Sequence, residues 1–440
     1  DVYKRQGFMN KSKIIIVSGL ALFAMFVGAG NLIFPPQLGA EAGSAYLPAT
    51  LGFLCTGIGL VFMGVVATTR AGGNIMDLGH HLGKVPISLF SILAMLAIGP
   101  GLAIPRTAAT TYEFLKGSLF PDFPAWLSSA IFFSIVLFFV FRPSRVVDLI
   151  GNFLTPGLII VLAIIIIKGI VTPLGEIIPT GMEAVFSTSF EKGYQTMDAI
   201  GAMCFTSIVV ASFVNKGVHD HDELVSCTIK AGIIASIGIA ALYSGLLYIG
   251  ATTSSLTEIH DFVYVDRLIF IAEGLLGKLG SVFMCLAMVL ACLTTAIGLS
   301  STVGEFFEKL SHGRISMRWA ILASTAFSYY FSISGVDKIV AIAAPILAGI
   351  YPLAIVLIVL NFFYKSLDHK ALHMGCSLGA LFPTVEMILN GIDGHISLME
   401  PLENLFPESF RNFAWILPVV VLGLLCLLYT SDAADERSSV

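Results

Sequence analysis

"FVGAGNLIFPP", residues 26–36, interrupts the first strongly apolar stretch of the chain. A membrane-crossing helix needs about 20 predominantly apolar residues and must bond its backbone groups internally. This stretch works against both demands. Gly28 and Gly30 loosen the helix, Asn31 is polar, and the Pro35–Pro36 pair is expected to end it. Unwound backbone at membrane depth is tolerated only where it lines a cavity or is buried in protein. The stretch therefore reads as a binding site made of backbone. The competing reading is that Gly-x-Gly lets two helices pack closely in lipid, although Asn31 and the double proline do nothing for packing.

Composition places this stretch in a bilayer. Of 440 residues, 56% are hydrophobic and 12% charged, with a mean hydropathy of +0.90. Soluble domains carry roughly 25% charged residues, so the outer surface must face lipid. The formal net charge is −5, and no basic stripe is present, which excludes a nucleic-acid partner. Seven cysteines are scattered without a CxxC pair, against a disulfide framework or a zinc site. No protein partner and no cofactor motif is implied, and the lack of a P-loop excludes an ATPase.

Apolar stretches of membrane-spanning length recur near 14–34, 46–68, 86–111, 125–141, 146–171, 197–214, 228–250, 279–303, 318–334, 339–363, 371–390 and 413–429. The expected architecture is an all-α integral membrane protein of about twelve transmembrane helices. Residues 1–8 and 431–440 read as foreign, adapter-derived segments around a membrane domain at 9–430. Lys11, Lys13, Arg70, Lys84, Arg142 and Arg145 all fall on one side, and the opposite segment 251–278 is comparatively acidic. The positive-inside rule then puts both termini in the cytoplasm.

An internal repeat links the spans. "VDLIGNFLTP" (147–156) and "VDKIVAIAAP" (336–345) share Val-Asp-x-Ile-x5-Pro, and Gly28-Ala29 in the first span has a counterpart at Gly201-Ala202 in the sixth. Two five-helix halves result, about 12–171 and 193–363, with two appended helices at 371–430. Five is odd, so the second half is inverted. Transporters of this plan hold substrate and ion at the midplane, between interrupted helices. The half-helix beginning near Gly30–Asn31 would offer unpaired N–H groups and a positive dipole end to a carboxylate. Carbonyls near Ala24–Val27 would suit a cation or an ammonium group.

At these residues a family becomes recognisable. "FVGAGNLIFPPQLG" (26–39), "IGPGLAIPRTA" (98–108), "GNFLTP" (151–156), "TMDAIGAMCF" (196–205) and "LACLTTAIGL" (290–299) together resemble the bacterial branched-chain amino acid carriers, the BrnQ-type cation symporters. The resemblance covers about 9–425. It implies a leucine-transporter-type fold in the bacterial inner (plasma) membrane, with Na+-coupled uptake of leucine, isoleucine and valine. It also implies site residues. Substrate would lie against Gly28, Ala29, Gly30, Asn31, Gly201, Phe205 and Thr206. "ACLTT" (291–295) looks like an ion motif, so Na+ would lie among the carbonyls of Ala24, Val27 and Ala291 and the hydroxyls of Thr294 and Thr295. Back-bonding of those hydroxyls to the preceding helical turn is the competing reading. In the sixth span the backbone break is expected around Asp198–Gly201.

Two charges remain. Arg106 and Asp198 fall within apolar spans, where ionisable residues are costly and usually face a cavity or a partner. They could gate the site, hold substrate polar groups or form a structural pair. Alternative functions are a proton-coupled or differently selective carrier, a membrane-embedded enzyme using Arg106 and Asp198, or an amino acid sensor. "HDHDE" (219–223) and His80-His81 read as solvated connections.

Overall fold

The first span breaks where its glycines stand. In the computed structural model, which describes residues 11–141, 155–259, 261–393 and 398–438, α1 (Lys11–Phe26) stops and α2 (Ala29–Ala42) starts afresh. Gly28 between them is extended, at φ −117° and ψ −164°. Gly28 N–H donates to Asn31 Oδ1 at 3.2 Å. In a continuous helix that N–H would have gone to the Ala24 carbonyl. Pro35 and Pro36 do not end the helix, contrary to the sequence expectation. Because the helix restarts only at Ala29, both prolines fall inside α2. Their missing N–H groups release the carbonyls of Asn31 and Leu32 from the helical ladder.

The chain continues through α3 (Tyr46–Leu54) and α4 (Val61–Ala71), joined by a π-helical turn at Cys55–Leu60, and then through the short α5 (Ile75–Leu78). Next come α6 (Lys84–Leu96), α7 (Ala103–Ser118), α8 (Ala125–Val140) and α9 (Thr155–Val171). α10 (Val185–Lys192), α11 (Asp198–Asn215), α12 (His221–Ala251), α13 (Tyr264–Leu276), α14 (Lys278–Leu310), α15 (Met317–Ser332) and α16 (Val336–Phe362) follow. α17 (Lys370–Asp393) and α18 (Ile416–Ser438) close the series, and no strand occurs among the described residues. α18 runs past residue 430, where the foreign tail is expected to begin. The 147–154 part of the repeated motif, residues 1–10, and Arg142 and Arg145 lie outside the described residues.

Among the described residues, seven helical stretches, some of them interrupted, are long and apolar enough to cross a membrane, and shorter apolar helices accompany them. Isoleucines on one face of α9 are open at the surface (Ile160 59%, Ile164 49%, Ile167 61%). That is the pattern of a lipid-facing helix rather than of a solvated one.

Two further interruptions surround the first. The third span is broken by a π-helical turn at Ala97–Gly101, where Gly99 leaves helical geometry (φ −88°, ψ −121°) ahead of Pro100. Such turns are frequent at functional sites. The sixth span breaks at Gly193–Met197, upstream of the expected Asp198–Gly201, with Met197 left-handed at φ +63°. Asp198 is the first residue of α11, where a carboxylate complements the helix dipole. α1 and α2 pack on α12, α11 packs on α4, and α7 packs on α14. α1, α2 and α11 also touch α14, so the first and sixth spans share α14 as a neighbour. α17 and α18 pack on each other, and α17 on α16.

Close packing holds the broken span. A Cβ added at Gly39 would lie 1.9 Å from the Leu247 carbonyl oxygen, and one at Gly250 would lie 2.1 Å from that of Pro36. α2 and α12 therefore meet backbone to backbone, as small residues allow in lipid. This contact supports a helix that two internal prolines weaken.

Candidate functional site

The three interruptions converge on one cavity. Gly28, Ala29, Gly30 and Asn31 of the first span form one wall, Asp198, Gly201 and Phe205 of the sixth another, and Arg106 and Thr295 complete it. The start of α2 presents amides that have no partner within the helix, since its first turn lacks a preceding one. A side chain at either glycine would close the cavity. A Cβ at Gly28 would stand 2.8 Å from Thr295 Oγ1, and one at Gly30 would stand 2.7 Å from Arg106 Nη2. The small residues thus bring backbone and functional side chains together.

A buried polar network ties the two broken spans. Asn31 Nδ2 donates to Asp198 Oδ2 at 2.5 Å and also to the Tyr243 hydroxyl, which itself donates to Asp198 Oδ2 at 2.9 Å. Asn31, Asp198 and Tyr243 are all buried. Asn31 thereby fixes the break on one side through Gly28 N–H and reaches the sixth span on the other. Tyr243, on α12, has no sequence motif that marks it. Its partners lie 45 and 212 positions away along the chain.

Arg106 is buried as well. Its Nη1 donates to the Gln195 carbonyl at 2.6 Å, within the sixth-span break, and its guanidinium lies 5.2 Å from the Phe34 ring centroid. Its Nε has no hydrogen-bond partner in the protein. Arg106 and Asp198 line the same cavity without pairing with one another, each held by its own partners.

The threonines of α14 divide. Thr294 Oγ1 donates to the Ala291 carbonyl at 2.8 Å, the back-bonded arrangement. Thr295 Oγ1 is buried, has no hydrogen-bond partner in the protein, and faces Gly28. A buried hydroxyl without a partner is rare in native proteins and calls for an explanation. Ala24, in the last turn of α1, and Val27, just past its end, are both buried. In the sixth span, Phe205 packs edge-on against Phe26, with centroids 6.0 Å apart. Thr206 lies outside the cavity wall, and its hydroxyl donates to the Ala202 carbonyl at 2.6 Å. Gln195 and Tyr243 belong to the site's surroundings through chain-distant contacts that carry no sequence signal, and Thr196, which lines the cavity, accepts from the Asp198 N–H at 3.4 Å.

The network yields a direct expectation. Tyr243→Phe removes one hydroxyl and leaves Asn31 and Asp198 each short of a bond. The cost expected is about 1–3 kcal/mol, visible as a lower unfolding midpoint in detergent with the protein still folded. An unchanged midpoint would show that the network contributes nothing to stability.

The sequence profile described as "Branched-chain amino acid transport protein" matches residues 11–433. The branched-chain amino acid permease BraB of Bacillus subtilis is 35% identical over 95% of this chain and 96% of its own. The permease BrnQ of Escherichia coli K12 is 34% identical over 98% of both chains. A branched-chain amino acid transport system 2 carrier protein of Pseudomonas aeruginosa is 33% identical over 94% of this chain and 95% of its own. Among solved structures, a nucleobase-cation-symport-1 family transporter, in a closed conformation with bromovinylhydantoin bound, aligns with a TM-score of 0.59 at 14% identity. That alignment covers 95% of this chain and 93% of that one. At that identity the likeness shows the fold alone. Sequence match over nearly the whole length decides the family: the chain belongs to the branched-chain amino acid transport protein family.

Proposed function

We propose that this transporter imports leucine, isoleucine and valine together with Na+ by alternating access. It is a branched-chain amino acid permease rather than an enzyme. The observation that carries the finer reading is the break at Val27–Gly28, which sets unpaired α2 amides beside the partnerless Thr295 hydroxyl. The substrate carboxylate meets the N-terminal amides of α2, where the helix dipole favours negative charge. Arg106 adds a positive group to that end of the cavity. The ammonium group meets carbonyls released at the end of α1, and Phe205 walls the aliphatic side chain. Na+ takes its oxygens from the carbonyls of Ala24, Val27 and Ala291 and the hydroxyls of Thr294 and Thr295. A hard monovalent ion is suited by neutral oxygens of this kind.

The chain crosses the bacterial plasma membrane twelve times with both termini in the cytoplasm, as a five-plus-five inverted repeat carrying two further helices. The matching interruptions in the first and sixth spans support that arrangement. A second reading has its own observation. Asp198 is a buried carboxylate in contact with two hydrogen-bond donors, a group that could take up and release a coupling proton.

Uptake of labelled leucine into proteoliposomes tests both readings. Accumulation driven by an inward Na+ gradient at constant pH supports sodium coupling. Accumulation driven only by a proton gradient, and lost in Asp198→Asn, replaces it with proton coupling. No uptake under either gradient would overturn both.

A further inference from the structure

His80 and His81, read from sequence as part of a solvated connection, join two residues from the far end of the chain. They follow α5, while Asp368 precedes α17 and His373 lies in its first turn. His81 Nε2 lies 2.6 Å from Asp368 Oδ1, and ligand atoms of His80, His81 and Asp368 all stand within 4.8 Å of one another. The His373 ring centroid is 4.6 Å from that of His81 and 6.2 Å from that of His80. His373 is 1% exposed, and neither ring nitrogen makes a well-formed hydrogen bond in the protein, although the Leu367 backbone lies close by. An imidazole always has at least one N–H and usually a lone pair to satisfy. Burying both without partners is costly.

We propose that His80, His81 and Asp368, whose ligand atoms already stand together, bind a divalent transition metal of the zinc class with the adjacent His373 drawn in as the fourth ligand, at a site separate from the central cavity. Three imidazoles and one carboxylate suit zinc, cobalt or nickel, whereas calcium and magnesium prefer all-oxygen sets. Zinc takes imidazole nitrogen at about 2.0–2.1 Å, which sets tetrahedral neighbours about 3.4 Å apart. The His81–Asp368 bond is shorter than that, so the ion replaces its shared proton and spreads the pair by under ~1 Å. His80 is already oriented. Its Nδ1 lies 3.0 Å from the Asp77 carbonyl, so that carbonyl fixes the tautomer with the Nε2 lone pair free for metal.

The site ties the connection after α5 to the one before α17. Asn361 Nδ2 already donates to the Leu78 carbonyl at 2.8 Å and brings these segments together. Arg70, Lys84, Lys365 and Lys370 flank the same connections in sequence, which assigns the site to the expected cytoplasmic side.

The test uses the full chain in detergent, carrying no histidine tag, with Co2+ and then Zn2+ as the only added metals. One equivalent of Co2+ should give the ligand-field absorption of a four-coordinate ion, and Zn2+ should displace it. His80→Gln and Asp368→Asn alter exposed residues and should fold normally, as unfolding without metal will report. Each should weaken binding by about 10–100-fold. His81→Gln should abolish the spectrum. No spectrum with the parent chain, or a titration unchanged in these variants, would overturn the proposal and place any bound metal on other histidines.

Discussion

Gly30→Leu is expected to abolish leucine uptake while leaving folded protein in the membrane. Even a Cβ there would lie 2.7 Å from Arg106 Nη2 and 3.1 Å from Phe34 Cε2. Arg106 cannot simply swing away, because Nη1 is anchored on the Gln195 carbonyl. The remaining leucine atoms would fill the space between α2 and the sixth span. An overpacking cost of about 3 kcal/mol at the substrate position corresponds to a loss of roughly 100-fold in affinity. The contrast is Gly39→Ala, whose Cβ would stand 1.9 Å from the Leu247 carbonyl oxygen. That variant should lose folded protein, because it drives two backbones apart. Size-exclusion profiles and uptake, measured together, separate the two outcomes. A well-folded Gly30→Leu chain with normal uptake would remove the cavity from the transport path.

Thr295→Val should shift the sodium dependence of uptake more than any other single change on α14. Valine keeps the shape and removes only the oxygen, and that oxygen has no bond within the protein to lose. Loss of one such contact, about 1–3 kcal/mol, weakens apparent Na+ affinity by roughly five- to more than a hundredfold. Thr294→Val should shift it less, since the Thr294 hydroxyl is already committed to the Ala291 carbonyl. Coupling is reciprocal, so leucine binding should weaken at low Na+ and recover at high Na+. A folding defect would instead lower maximal uptake at every Na+ concentration. If neither substitution moves the sodium dependence, the ion site lies elsewhere and Asp198 becomes the group to follow.

The break in the first span was legible because glycine, asparagine and proline are local signals, readable within eleven residues. The helical class was legible for a similar reason: apolar length needs no tertiary knowledge. The effect of Pro35 and Pro36 is not readable from sequence, because it depends on where the helix restarts. They fall inside α2 only because Gly28 moves its start. The third-span interruption adds no charge or polar side chain at Gly99 and Pro100, so it stands out less than the first, where Asn31 accompanies the glycines. Tyr243 could not be found at all from sequence. Its role exists only through Asn31 and Asp198, and no periodicity reports a pairing across 212 residues. The His80–His81 cluster was hidden in the same way, with its carboxylate 287 residues away.

The backbone contact between α2 and α12 governs how the molecule can breathe. Side chains at a helix interface act as compliant spacers, but at Gly39 and Gly250 there are none to compress. Sliding of α2 along α12 is thereby blocked, and rotation about the two residues between α1 and α2 is the softer motion. Amide hydrogen exchange should record the difference. The amides of α12 facing Pro36 and Gly39 should exchange near the global unfolding limit, while Val27 and Ala29 exchange by local opening and slow down when leucine is bound.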